Sequence, residues 1–497
     1  MSQEPKKVGR RTFLNYAIAV IATGVIVGAA TYLAVPKGQV TVTAPGTTIT
    51  APGTTITTTK TITVTGTPTT SPTTTTPSRW PGYAEATKPY RGLTLELVGE
   101  DTDSVTCYES IAGKLFNEQF GIKVRGTFAA HPSDEEKAFM DFATHAGTYD
   151  LFNMDYPRIG KCVEAGWLVP LDEFWEKHPE LVDPNWDFND FFEGDVEVAC
   201  KYGNHIYGVP QDHVLMFHTY NKKRIQEAGF NVPGDKPISW DTYEEICKHF
   251  TNPDKNMYGL GTGLGRNPEV GWEWWGYYFN FGGEIFDEKG KPLIKGEGLA
   301  LDVLKFWKHL ADNYAPPGAK NWTAYDVFDA FASGVCTHGV FWNDSIMVVY
   351  EDPTRSKVVG EMAWGVSPGL GISHCGQSAL CIPESSKKKE AAWLFIQFST
   401  SKEVMCDPKN VPPYCPTRKS FYTKPEVMAN PYYDRFWKNG NLAGGMKQKG
   451  RPRHPQWDAL QDTLCANLNA CFAGLQTEKE TLDKIYHDWC VIMGIAP

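Results

Sequence analysis

Leu93-Thr94-Leu95-Glu96-Leu97-Val98 reads as a strand, and the segments after it decide the fold. A helix-like stretch follows at Tyr108–Gln119, a second strand at Ile122–Phe128 and a third at Asp150–Met154. Further helix-like stretches recur at Arg158–Ala165, Ser239–Phe250, Gly298–Asn313, Lys387–Ser399 and Trp457–Phe472. Strands alternating with helices predict an α/β fold with mainly parallel sheets, in which ligands bind beyond the carboxyl ends of the strands.

Upstream of this region the 497-residue chain does not read as globular. Residues 1–12 form a basic tail that includes Lys6, Lys7, Arg10 and Arg11, and an apolar run covers 13–35. That run is long enough to span a bilayer, and basic residues on its N-terminal side keep that side cytoplasmic. Arg10-Arg11-Thr12-Phe13-Leu14 resembles a twin-arginine export signal. The expectation is an uncleaved transmembrane anchor with everything downstream extracellular, a cleaved signal peptide being the alternative. Residues 36–82 are expected to be a disordered Thr/Pro-rich stalk. Twenty of the 36 residues from 41 to 76 are Thr, and Thr-Ala-Pro-Gly-Thr-Thr-Ile occurs at 43–49 and again at 50–56. A Thr-rich edge strand is disfavoured there by the repeated Pro-Gly.

Charge and cysteine usage bound the function. From Glu85 onward there are 57 acidic residues against 41 Lys and Arg, which excludes a nucleic-acid partner. The twelve Cys all follow residue 100, and no C-x2-C pair exists. Behind an export signal they are expected to be mostly disulfide-bonded. Cys406 and Cys415 are the expected pair, because Asp407-Pro408 and Pro412-Pro413 impose turns between them.

No catalytic constellation emerges. Gly365-Val366-Ser367-Pro368-Gly369 matches G-x-S-x-G, but Pro368 lacks the N–H that a nucleophile elbow needs after its Ser. The Gly-rich run Gly259–Gly265 is neither a P-loop nor a dinucleotide fingerprint. His205, His213 and His218 lack metal-ligand spacing, so neither metal nor cofactor is expected. The aromatic clusters are more informative. Trp272-Glu-Trp274-Trp275-Gly-Tyr277-Tyr278-Phe279 puts rings on every side of a short element, where a core helix needs one stripe. Trp342-Asn343-Asp344 and Trp457-Asp458 set a ring beside polar groups. Rings with a few convergent polar groups suit a small polar ligand with apolar faces, such as a sugar, although core packing accounts for them equally well.

Several motifs, taken in order, resemble the extracellular solute-binding proteins of sugar (maltose-type) ABC importers over nearly all of residues 90–497. They are Gly203-Asn-His-Ile-Tyr-Gly208-Val-Pro210, Tyr220-Asn221-Lys222-Lys223, Pro237-Ile-Ser-Trp240-Asp-Thr-Tyr243, Gly282-Gly283-Glu284-Ile-Phe286, Ala391-Ala392-Trp393-Leu394-Phe395-Ile396, Pro416-Thr417-Arg418 and Arg451-Pro452-Arg453-His454-Pro455-Gln456-Trp457. The resemblance implies a two-lobe periplasmic-binding-protein-like fold with hinge strands. Lobe one would comprise 83–212 plus 377–420, and lobe two 213–376 plus 421–497. It implies an ABC permease as partner, a monomer and no enzymatic activity. The alternatives are a secreted carbohydrate-active enzyme and a surface adhesion protein. It also implies ligand contacts from Glu100, Asp101, Asp155, Tyr156, Asp212, Trp272, Trp342, Asn343 and Trp457. With carboxylates and few basic groups in these loops, a neutral sugar, oligosaccharide or polyol is expected. The Thr stalk resembles archaeal binding proteins. Of the sequons at Asn321 and Asn343, glycan is expected at Asn321 only, since Asn343 would lie in the cleft.

Overall fold

The computed structural model describes residues 80–496 apart from 131–132, 344–345, 408 and 410–414, together with the backbone of four short strands between 41 and 63. The expected anchor at 13–35 lies outside the described residues. Among those described, no helix is long and apolar enough to cross a membrane. Residues 1–75 and 76–497 are separate units.

In the first unit the described backbone forms two short antiparallel pairs. Thr41–Thr43 pairs antiparallel with Thr61–Thr63, and Thr47–Ala51 pairs antiparallel with Thr54–Thr58, with Ala51 opposite Thr54. Apart from Ala51 the strands are built of Thr, Ile and Val, whose branched Cβ favours extended backbone.

In the second unit the strands run β1 (Thr94–Glu100), β2 (Lys123–Ala129), β3 (Leu151–Asp155), β4 (Gly208–Pro210), β5 (Met216–Asn221), β6 (Tyr258–Leu260), β7 (Cys336–Trp342), β8 (Met362–Gly365), β9 (Ser373–His374), β10 (Ser378–Cys381) and β11 (Gln448–Lys449). Two sheets result. One has the order β4-β10-β3-β1-β2, and the other β6-β7-β5-β8. Within the first, β1 is parallel to β2 and to β3, while β10 is antiparallel to β3 and β4. In the second, β6 is parallel to β7, and β5 is antiparallel to β7 and β8. Each sheet is thus mixed rather than mainly parallel. The antiparallel members, β10 in one sheet and β5 in the other, begin where the chain has just crossed between sheets.

The principal helices are α1 (Ser133–Thr144), α2 (Trp240–Phe250), α3 (Pro268–Asn280), α4 (Gly298–Tyr314), α5 (Lys389–Ser399) and α6 (Trp457–Phe472). Ser239 and Asn267 cap α2 and α3 by accepting the backbone N–H of Thr242 and Glu269. α3 is buried on nearly every side, which explains its all-round apolar composition. Trp274 stacks on Tyr278, Trp275 on Phe279 and Tyr277 on Trp307 of α4, so most of the rings expected to face a cleft are core. Only Trp272 of the cluster is partly exposed. The Gly-rich run that begins within β6 also has a packing explanation: a Cβ at Gly259 would fall 2.0 Å from the Cys247 carbonyl oxygen, and one at Gly261 would fall 2.5 Å from Phe331 Cζ. Ser367 of the G-x-S-x-G match is buried and donates to the Met216 carbonyl.

All twelve Cys are thiols and eleven are buried. The expected Cys406–Cys415 bridge is not formed. The Cys415 thiol interacts with Asn343 and Tyr422, whereas the Cys406 thiol interacts with Ser420, so the two sulfurs serve different surroundings.

Candidate functional site: the junction between the sheets

Three stretches connect the two sheets, and one carboxylate ties them together. Residues 211–215 lead from β4 to β5, residues 366–377 lead from β8 back to β10, and the chain returns a third time through 415–449. Buried Asp195 engages His213 on the first stretch (Nδ1 at 2.7 Å) and accepts from Gln377 Nε2 on the second (2.7 Å) and Gln448 Nε2 on the third (3.1 Å). Phe192 stacks on the His213 ring at 4.5 Å.

Two residues expected in the cleft take part in this bracing. Asp212 accepts from the Ser378 backbone N–H at 3.0 Å, joining the first stretch to β10. Asn343 accepts from the Leu215 N–H at 2.8 Å and donates to the His213 carbonyl at 2.9 Å. A short amide at the end of a strand was read as a ligand contact, whereas it satisfies backbone that the crossing leaves without a sheet partner. Asn343→Ala should therefore strand two buried backbone groups and lower stability by about 2 kcal/mol. A urea midpoint unchanged from the parent chain would refute that role. Buried Asn343 is also inaccessible to a glycan, whereas Asn321 is exposed.

Beside this bracing, the carboxyl end of β3 faces the chain that follows β11. Asp155 pairs with Arg451 through Nη2 at 2.7 Å and Nη1 at 3.2 Å, a two-pronged contact. The Tyr156 hydroxyl accepts from the Arg451 backbone N–H and from its Nε at 3.2 Å. The same guanidinium lies 4.8 Å from the Tyr156 ring centroid and 5.4 Å from that of Trp272. Trp272 meets Trp342 edge-on at 5.7 Å, and His374 packs 5.2 Å from Trp342. Burial, and then the Arg451 charge, hold the His374 imidazole well below its usual range.

A second arginine carries the network onward. Arg158 contacts Asp155 at 2.8 Å, Glu135 of α1 at 2.8 Å and Asp458 of α6 at 3.2 Å, and Lys161 contacts Asp458 at 3.0 Å. Burial raises the Glu135 carboxyl well above its usual range against the pull of Arg158, and raises Asp134 to about 6. A cavity of about 460 Å³ opens here, lined by Glu135, Arg158, Arg266, Asn267, Asp458 and Gln461 among others. One of its walls comes from elements beside the first sheet, and the other from α3 and α6 beside the second.

Of the residues expected to bind ligand, Asp155, Tyr156, Trp272 and Trp342 come together. Trp457 is buried at the start of α6, and Asp101 is exposed just beyond β1 with Glu100 at its end. Sequence reading missed Arg158, Arg451, Glu135 and Gln461. Arg158 stands two residues beyond Tyr156, and Arg451 opens the late motif, so both were in view. The expectation of loops poor in basic groups is corrected by these two buried arginines. A long cation reads as solvated surface until its carboxylate partner, here 296 positions away, is seen.

Two α/β sheets, joined by three chain crossings with a cavity of mixed charged and apolar lining between their flanking elements, define a two-lobe ligand-binding protein. The family model described as bacterial extracellular solute-binding protein matches residues 102–405, and the chain belongs to that family. The mannitol-binding protein of Pseudomonas aeruginosa is 27% identical over 309 residues, spanning 59% of this chain and 66% of the relative. A probable amino-acid ABC transporter periplasmic-binding protein of Sinorhizobium fredii is 22% identical over 327 residues, 65% of this chain and 72% of the relative. The chain thus spans roughly two thirds of the length of these relatives. Among solved structures, an ABC transporter solute-binding protein from Agrobacterium radiobacter in complex with ribitol superposes with a TM-score of 0.67 at 25% identity, covering 80% of this chain and 98% of that one.

Proposed function

We propose that the chain is the extracellular substrate-binding subunit of an ABC importer, which captures a sugar or polyol between its lobes and delivers it to a membrane permease. The observation that carries this reading is the junction of Asp155, Arg451 and Trp272: charged groups and an aromatic plane from both sides of the molecule converge beside one cavity. Carboxylates accept from ligand hydroxyls, guanidinium groups donate to them, and a ring covers C–H groups, a combination that matches a polyhydroxylated solute. The sugar- and polyol-binding relatives support the same class. Lobe one is taken as 83–212 plus 377–420, and lobe two as 213–376 plus 421–497. In this reading residues 13–35 anchor a monomer to the cell membrane with both lobes outside, and Asn321 is its glycosylated sequon.

Ligand binding should draw the lobes together, with contacts made only in the closed state offsetting the cost of closure. The direct test is mass spectrometry of ligand released from gently purified protein, followed by titration calorimetry with that compound. A glycoside hydrolysed during incubation, or no small molecule bound at all, would overturn the proposal. Trp272→Ala should remove about 1–3 kcal/mol of apolar burial on binding, which is roughly tenfold to a hundredfold in affinity. The melting temperature of the unliganded protein should stay nearly constant. A collapsed melting temperature with intact affinity would make Trp272 a core residue.

A further inference from the structure

Beside the cleft the protein itself covers most of the aromatic surface, leaving part of the Trp272 ring open to a single C–H face. Trp342 is 5% exposed, its partner Trp272 meets it edge-on, and Arg451 lies against Trp272. In the cavity the Phe139 ring is covered in the same way, by Lys161 Nζ at 4.3 Å from its centroid. The space left open is therefore lined by charged and amide side chains together with Phe139, Pro268 and Cys465, and the Phe139 ring is covered by Lys161.

Within those walls Gln461, on the second turn of α6, is 8% exposed, and its side-chain amide oxygen has no hydrogen-bond partner. A buried acceptor left unmade carries its full desolvation cost with nothing returned, so the site gains from any donor placed there. Arg158 and Asp458 stand beside it with donor and acceptor groups. The volume of about 460 Å³ sits at the lower end of the range for small-molecule sites.

We propose that this cavity seats the ligand, that Gln461 determines its specificity by accepting a hydroxyl hydrogen bond, and that the ligand is a compact acyclic polyol rather than a glucan chain. This rests on the sugar-or-polyol reading and narrows it. A glucan presents a ring face at every residue, each needing an open aromatic plane, whereas here part of one ring, Trp272, stays open beside a cavity whose own ring, Phe139, is covered by Lys161. An acyclic polyol carries a hydroxyl on each carbon, and every hydroxyl both donates and accepts, so alternating guanidinium, carboxylate and amide groups can satisfy it along its length.

The test is titration calorimetry of the whole protein with ribitol, D-mannitol and maltotriose. At least one polyol should bind tenfold or more tightly than maltotriose. Gln461→Leu should lower that affinity tenfold or more while leaving the unliganded melting temperature unchanged or higher, because an unmade acceptor is removed. Gln461→Asn, which withdraws the amide by one methylene, should weaken binding as well and covers the case of a misfolded Leu variant. Maltotriose binding more tightly than both polyols would overturn this inference while leaving the sugar-or-polyol reading intact. Polyol affinity unchanged in both variants would remove Gln461 from the site. Binding of none of the three would count against the proposed function itself.

Discussion

Arg451→Met should cost about 3–5 kcal/mol of stability, the usual penalty for breaking a buried ion pair from one side. Its guanidinium is nearly inaccessible, holds both oxygens of Asp155, contacts the Tyr156 hydroxyl and lies against Trp272. Methionine keeps much of the bulk and none of the donors. Arg451→Lys should rescue only part of the loss, since an ammonium cannot present the planar fork that grips a carboxylate at two points. Because the contact joins β3 to the chain beyond β11 and to α3, ligand affinity should fall with stability. Chemical denaturation of the single variants and of the double variant with Asp155→Asn gives the coupling between the two side chains. Additive single effects would show that the pair does not act as a unit.

The second large effect is on acid stability. His218 Nε2 lies 2.9 Å from His338 Nδ1, and His338 Nε2 lies 3.2 Å from the Cys247 sulfur, all buried beneath Tyr243. Burial lowers the folded-state pKa of His218 to about 3 and places His338 well below its usual range. A depressed pKa means that the unfolded chain binds the proton first. The contribution to stability is therefore complete above about pH 6.5 and is lost as pH falls from there toward 3. For His218 alone the slope is about 1.4 kcal/mol per pH unit, or on the order of 5 kcal/mol over the whole window. Glu273 works in the opposite direction. Burial raises its carboxyl to about 8 although Thr262 and the Gly263 N–H both donate to it, so its contribution is complete below about pH 4.5 and is lost as pH rises through 8. His218→Gln isolates the first effect. Between pH 6 and 4 its unfolding free energy should fall less steeply than that of the parent by about one proton's worth. Parallel slopes would show that His218 is not held neutral in the fold.

Much of the fold was legible in the chain because local signals agreed with it. The strand at Leu93–Val98 is β1 with its boundaries moved by one or two residues, and Trp457–Phe472 is α6. The antiparallel members of each sheet were not legible. β10 pairs with β3, more than 220 positions earlier, and no local pattern encodes that distance. Part of the candidate site was legible: Asp155 and Tyr156 stand out because they follow a strand, and Trp272 and Trp342 because a ring draws attention, and the structure brings these four together, whereas Arg451 and Gln461 acquire meaning only from what surrounds them. Asn343 and Asp212, expected as ligand contacts, hydrogen-bond to backbone in the structure. A polar side chain near a crossing can serve a solute or the backbone, and the sequence does not distinguish the two.

The position of β10 has a consequence for how the protein is made. The second sheet draws every strand from residues 216–365, whereas the first must leave a gap between β3 and β4 until residues 378–381 arrive to fill it. At about 5–20 residues per second, translation of the intervening chain takes roughly 10–30 s. Throughout that interval β3 presents an open edge of unpaired N–H and C=O groups, a ready template for aberrant strand pairing. The sheet encoded first is thus completed last, and the nascent chain needs shielding over Leu151–Asp155 until its late partner emerges from the ribosome.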